Sequence, residues 1–150
     1  MKLSTKGRYG VCAMFDLAYY YKRGPISLKS ICTRQAIPEN YLEQLLTKLK
    51  KAGLVTSVRG PRGGFKLVHP PEQTTVRKIM DALGEETEPA ECAGNSECVQ
   101  SKTCAVRRLW MRLDEQIAKV LGATTLADMC GEAKELARNA GARHPYMYYI

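Results

Sequence analysis

The chain has 150 residues, a net charge of +8 and six cysteines, which is enough length for one domain with a real core. No stretch approaches the ~20 apolar residues of a helical membrane span, and Met1-Lys2-Leu3-Ser4 begins no apolar secretory segment. The expected compartment is therefore the cytoplasm, where cysteines are read as thiols or metal ligands rather than disulfides.

The charge is unevenly placed. Residues 1–70 hold 13 Lys/Arg and 3 Asp/Glu, whereas residues 71–150 hold 10 and 12. A strongly basic half beside a near-neutral half fits one part facing a polyanion and another with a different task, against the alternative of a merely solvated basic surface.

In chain order, Val11, Met14, Phe15 and Ala18 have the i, i+3, i+4, i+7 spacing of a buried stripe and predict a helix over 7–22. Gly24-Pro25 stops it. Ser27 then caps a short helix with Leu28, Ile31 and Cys32 on one face. Ala36-Ile37 makes a tight turn, and Pro38 suits the first position of the next helix. That helix turns Leu42, Leu45, Leu46 and Leu49 inward, and Gly53 ends it. Strands are expected over 54–58 and 65–68, with Arg59-Gly60-Pro61-Arg62-Gly63-Gly64 as a hairpin tip. His69-Pro70-Pro71 is a stiff link. Two short helices, a tight turn and a basic hairpin predict a winged helix-turn-helix within residues 1–71, with the helix-turn-helix at about 28–51 and the wing at 54–68.

Residues 72–150 read differently. A helix over 75–83 has Val76, Ile79, Met80 and Leu83 inward, with Gly84 at its end. Residues 85–103 are acidic and carry no helical or strand period. A long helix over 105–121 follows, with Val106, Leu109, Trp110, Leu113, Ile117, Val120 and Leu121 along one side. That stripe is long for so small a core and reads as a dimerisation helix, with intrachain packing as the alternative. A further helix covers 125–138, and Tyr146-Met147-Tyr148-Tyr149-Ile150 forms an aromatic tail. The expected fold class is mainly α: a winged helix-turn-helix with a small β-hairpin wing and a long C-terminal dimerisation helix.

The second helix of such a motif lies in the major groove of DNA. Its outward residues are Glu39, Asn40, Tyr41, Glu43 and Gln44. Asn and Gln pair with adenine, and Glu accepts from cytosine N4. Tyr41 has two readings, a phosphate contact or a core role. Lys48, Lys50 and Lys51 lie late on the helix, where phosphates pass. Arg59 and Arg62 are spaced to enter a narrow minor groove, with Gly60, Gly63 and Gly64 allowing close approach.

Cys92, Cys98 and Cys104 stand in a C-x5-C-x5-C array. Zinc sites usually use C-x2-C pairs, whereas a wide loop of three thiolates suits an iron–sulfur centre. On spacing alone the cluster, zinc and redox thiols all remain open. Cys12, Cys32 and Cys130 are read as small buried hydrophobes.

Met1-Lys2-Leu3-Ser4-Thr5-Lys6-Gly7-Arg8-Tyr9-Gly10, Tyr41-Leu42-Glu43-Gln44-Leu45 and Val58-Arg59-Gly60-Pro61 with Gly63-Gly64 closely resemble the IscR-like iron–sulfur cluster regulators. That winged-helix family also includes nitric-oxide sensors and cysteine-metabolism regulators. The resemblance spans about residues 1–130 and implies a homodimer with a long crossing helix. It also implies a cluster on Cys92, Cys98 and Cys104, usually 2Fe–2S with 4Fe–4S as the variant, and repression of cluster-assembly genes through a double-stranded DNA operator. By the same resemblance Glu43 discriminates between DNA site classes and Arg59 enters the minor groove. The family's histidine ligand, three residues after the third cysteine, is here Arg107. The ligand that nitric-oxide sensors take from the partner's first helix falls at Arg8. Neither arginine ligates, so Cys12, His69, Glu97, Asp114 or a small molecule is left as the fourth ligand. The segments Trp110–Leu113, Thr124-Thr125-Leu126 and the tail resemble the cluster-free cysteine regulators instead, which work with cysteine synthase. Ile150 and its carboxylate are the implied contact, with a tail packed on the dimer as the alternative. An enzyme is not expected, because the only histidines are His69 and His144 and no general base stands near the cysteines.

Overall fold

A computed structural model of the chain describes residues 3–87, 89–90 and 102–140. Six α-helices and one hairpin occur among them: α1 (Thr5–Tyr19), α2 (Leu28–Gln35), α3 (Glu39–Lys51), β1 (Val55–Val58), β2 (Gly64–Leu67), α4 (Val76–Leu83), α5 (Ala105–Ala123) and α6 (Leu126–Asn139). Every expected element in this range is present, with boundaries moved by no more than three residues. The largest shift is in α1, where the chain leaves the α-helix after Tyr19 and tightens into a 3-10 turn at Tyr21–Arg23 before Gly24.

Short polar side chains start most of these helices. Ser4, Ser27 and Thr75 cap α1, α2 and α4 by accepting from the backbone N–H three residues on, which satisfies donors that a helix start leaves unpaired. Thr125 and Asp128 form a reciprocal capping box at α6. The end of α3 is closed by Gly53 at φ 74. There the N–H of Leu54 donates to the carbonyl of Leu49 and that of Gly53 to Lys50, a Schellman closure whose left-handed residue favours glycine. Pro38 sits one place before the helix, as its cap residue.

The hairpin is antiparallel, with Val55 opposite Leu67 and Val58 opposite Gly64. Ile26 bridges to Phe65, so the segment before α2 adds a third edge to the sheet and fixes the wing against the helix-turn-helix. The core gathers Met14 and Leu17 of α1, Ile31 of α2 and the four leucines of α3, all nearly inaccessible. Each such burial is worth ~1.5–3 kcal/mol relative to exposure. The same cluster takes in Ile79 and Leu83 of α4 and Leu126 and Cys130 of α6. Backbone bonds from Val76 to Thr124 and from Leu126 to Thr74 join the starts of α4 and α6. The helix α5 packs on α4, and its Trp110, Leu113, Ile117 and Leu121 are half-buried, but none of its 19 residues is fully buried. No described helix is long and apolar enough to cross a membrane.

Candidate nucleic-acid interface and sensor segment

The turn between α2 and α3 is made by Ala36 in left-handed backbone, φ 52, with the Ile37 N–H donating to the Cys32 carbonyl. It delivers α3 with Leu42, Leu45, Leu46 and Leu49 inward and with Glu39, Asn40, Glu43, Gln44 and Lys48 exposed. Tyr41 is half-buried, and its ring meets that of Tyr9 edge to face at 5.9 Å, with the Arg8 guanidinium 5.2 Å from the centre of the Tyr9 ring. The packing role open to Tyr41 is therefore occupied, and the first turns of α1 brace the start of α3. Lys50 donates to Ser57 Oγ at 2.6 Å, linking α3 to β1.

Arg59 and Arg62 are both exposed at the hairpin tip. Two of the tip glycines answer a need of the fold itself. A Cβ on Gly63 would lie 2.2 Å from the Val58 carbonyl oxygen, and one on Gly64, at φ 152, 2.2 Å from that of Ile26. Gly63 lets the tip close on its own backbone, and Gly64 lets β2 approach the Ile26 segment, whatever they also permit toward DNA.

One feature has no counterpart in the apolar patterning. Asp16 is fully buried on α1. Arg34 grips it with two hydrogen bonds, Nε to Oδ1 at 2.9 Å and a terminal nitrogen to Oδ2 at 2.7 Å, and Gln35 donates to Oδ1 at 3.0 Å. The guanidinium also lies 4.5 Å from the centre of the Tyr20 ring. The bidentate bond with Asp16 raises the Arg34 pKa. This network sets α2 against α1. The signal was a single carboxylate inside an otherwise apolar helical stripe.

Of the three expected ligands, Cys104 is described, and Cys92 and Cys98 lie outside the described residues. Cys104 is half-buried at the N-cap of α5, where its sulfur accepts from the Arg107 N–H at 3.4 Å. Among the described residues no three His, Cys, Asp or Glu converge as a metal set. Asp114 is ten residues along the same helix, roughly 15 Å from Cys104 at the helical rise, so within one chain the two do not share a centre. Cys12 is half-buried and His69 exposed, while Glu97 lies outside the described residues, as does the tail with Ile150. Burial pushes the Cys130 thiol up to about 11, and it raises the Cys12 and Cys32 thiols as well. Cys130 is buried as expected, whereas Cys12 and Cys32 only border the core.

At the other end of the acidic segment, Glu85 follows Gly84, which closes α4 at φ 65. Its side chain is only 9% exposed and pairs with Lys6 Nζ at 2.8 Å. Ser4, the cap of α1, also hydrogen-bonds to it. Burial raises the Glu85 pKa, but the bonds from Lys6 and Ser4 and the charges of Lys6 and Lys48 outweigh it and hold the carboxyl below its usual value. The segment is therefore tied at its start to α1, whose Tyr9 touches the recognition helix, and at its end to α5.

A helix-turn-helix with a bridged hairpin and an outward polar recognition face defines a winged-helix DNA-binding transcription regulator. The chain belongs to the Rrf2 family, iron-dependent transcriptional regulators, which matches residues 3–132. It is 41% identical over 129 residues to the HTH-type transcriptional regulator IscR of Aliivibrio salmonicida, covering 86% of this chain and 77% of that one. Among solved structures it is similar to T. potens IscR, at 42% identity and a TM-score of 0.77, covering 99% of this chain and 97% of that one. It is also similar to CymR, the global cysteine regulator of B. subtilis, at 39% identity and a TM-score of 0.76, covering 88% and 98%. The family and these relatives are transcription regulators, not enzymes.

Proposed function

We propose that the chain is a homodimeric cytoplasmic repressor of iron–sulfur cluster assembly genes, controlled by a cluster on Cys92, Cys98 and Cys104. The observation that carries this reading is the anchoring of the acidic cysteine segment: Glu85 grips α1 at one end, and Cys104 caps α5 at the other. When bound, a 2Fe–2S or 4Fe–4S group would supply a centre sensitive to redox state and to cluster availability. Cys104 fits such a group, because a backbone N–H already donates to its sulfur, and bonds of that kind tune cluster potential. Arg107 in the histidine position leaves the fourth ligand to Cys12, His69, Glu97 or a small molecule.

The rest falls to the chain's own residues. Glu39, Asn40, Tyr41, Glu43 and Gln44 read the major groove, with Tyr41 offering its hydroxyl beyond the packed ring. Lys48 meets phosphate, and Arg59 and Arg62 enter the minor groove. The exposed apolar face of α5, with Val106 59%, Leu109 49% and Val120 63% accessible, packs against a second copy. Residues 1–71 form the reading head, and residues 72–150 the sensor and dimer elements.

Protein purified anaerobically should be coloured and contain iron and sulfide, and a Cys92/Cys98/Cys104→Ala variant should be colourless with altered operator affinity. A wild-type protein that stays colourless after reconstitution removes the cluster. A second reading is favoured by Arg107 and by the CymR-like fold: a cluster-free regulator of cysteine metabolism held by a partner such as cysteine synthase through the tail. Co-purification of that enzyme, lost on deleting Ile150, would establish it.

A further inference from the structure

A cleft of about 340 Å³ opens between the hairpin tip and the start of α2. Arg62 and Gly63 form one wall, Ser27 and Ser30 the other, and Arg23 and Arg34 stand at its end. No acidic side chain is among its lining residues. The charge of Arg34 is met from behind by Asp16, which leaves Arg23 and Arg62 as exposed cations facing the opening. Arg23 is steadied by the Tyr20 ring, 5.3 Å from its guanidinium.

The position of this cleft matters as much as its charge. A regulator that puts α3 in the major groove and its wing in the neighbouring minor groove straddles the sugar-phosphate strand between them. The first helix of a helix-turn-helix crosses that backbone. The cleft lies between that helix and the wing, so the strand has to pass its opening. We propose that it is a seat for a DNA backbone phosphate, with Arg23 at its end as the cationic contact and Arg62 flanking the opening on its way to the minor groove. The inference rests on the DNA-binding reading and adds Arg23, a residue outside both recognition helix and wing, as a positioning contact.

The test uses fluorescence anisotropy over a salt series. One duplex is of random sequence, and the other is selected by the wild-type protein from a random pool. Arg23→Gln should weaken both duplexes by the same factor, because phosphate contacts carry no sequence information. It should also lower the slope of log K against log salt by ~0.9, the value of one lost phosphate contact. Arg23→Lys should restore the slope, and the melting temperature of both variants should match wild type. A single neutral methylphosphonate, scanned along the strand between the grooves, should weaken wild type at one position and leave Arg23→Gln no weaker there. An unchanged slope in Arg23→Gln, beside an Arg59→Gln variant that does lose affinity, overturns the seat and leaves DNA binding intact. Wild type that binds neither duplex overturns both. Millimolar pyrophosphate that binds wild type but not Arg23→Gln, with the DNA slope unchanged, would assign the cleft to a free oxyanion instead.

Discussion

Arg34 and Asp16 show how much one pair fixes. Both side chains are almost inaccessible, at 5% and 0%, so each charge depends on the other for solvation. Arg34→Leu leaves a buried carboxylate facing only Gln35, and breaking such a pair costs about 3–5 kcal/mol. Urea unfolding should report a loss of that size, and a loss under 1 kcal/mol would show that water reaches Asp16. The pair was not legible in the sequence because periodicity ranks residues by apolarity. It cannot foretell that one carboxylate on α1 will meet a guanidinium 18 positions on. The Glu85 latch makes a different prediction, through pH. Its native pKa is lowered below the ordinary 4.5, so the unfolded chain binds that proton more tightly. The latch therefore adds stability above pH ~4.5 and loses it as pH falls through the lowered native value. Glu85→Gln should cost on the order of 1 kcal/mol at pH 7 and flatten the acid limb of a stability–pH curve. An acid limb identical to wild type would mean that the latch carries no linkage.

Among elements, the wing is held both by the buried side chains of Val55 and Leu67 at its base and by a backbone bridge nearer its tip. Ile26 and Phe65 exchange two backbone bonds, at 2.9 and 2.8 Å, and at Gly64 the two segments lie too close to admit a Cβ. Gly64→Ala forces its Cβ onto the Ile26 carbonyl and the Ser27 N–H, which would lie at 2.2 and 2.8 Å. Backbone cannot yield as a side-chain end can, so the bridge must open. The expected outcome is a loss of about 1–3 kcal/mol, by analogy with overpacking, and a drop in operator affinity as Arg59 and Arg62 lose their fixed placement. Thermal unfolding and anisotropy measure the two separately. A variant of normal stability and affinity would mean that the bridge does not position the wing. The elements themselves were largely legible. Ser27, Pro38, Gly53 and Gly84 mark helix ends by local backbone chemistry, which neighbours rarely override. The bridge at Ile26 was not, because a single paired residue has no period, and of the glycines that read as openings toward DNA, Gly63 proved necessary to the hairpin's closure and Gly64 to the bridge.

For the whole molecule, α5 decides what the working unit is. Nineteen residues with no buried side chain do not form a stable helix from propensity alone, because helical stability in proteins comes mainly from packing an apolar face. The apolar residues Val106, Leu109 and Val120 recur along it and are about half or more exposed, so a single copy leaves this surface unsatisfied. The stripe was legible in the sequence, but its division was not, since a chain read alone cannot tell that Trp110, Leu113, Ile117 and Leu121 are half-buried within it while Val106, Leu109 and Val120 stay exposed. A second copy also suits the chemistry of the head: a dimer reads two half-sites set one or more helical turns apart, and their spacing is fixed by the elements that join the heads. Leu109→Glu places a charge in that seam. Sedimentation should show a dimer for wild type and a monomer for this variant. Affinity for a two-half-site duplex should fall by orders of magnitude, while binding to an isolated half-site stays near wild type, because α3 and the wing are untouched. A Leu109→Glu protein that still sediments as a dimer would place the interface elsewhere, and the contact of α5 with α4 would then be its whole packing.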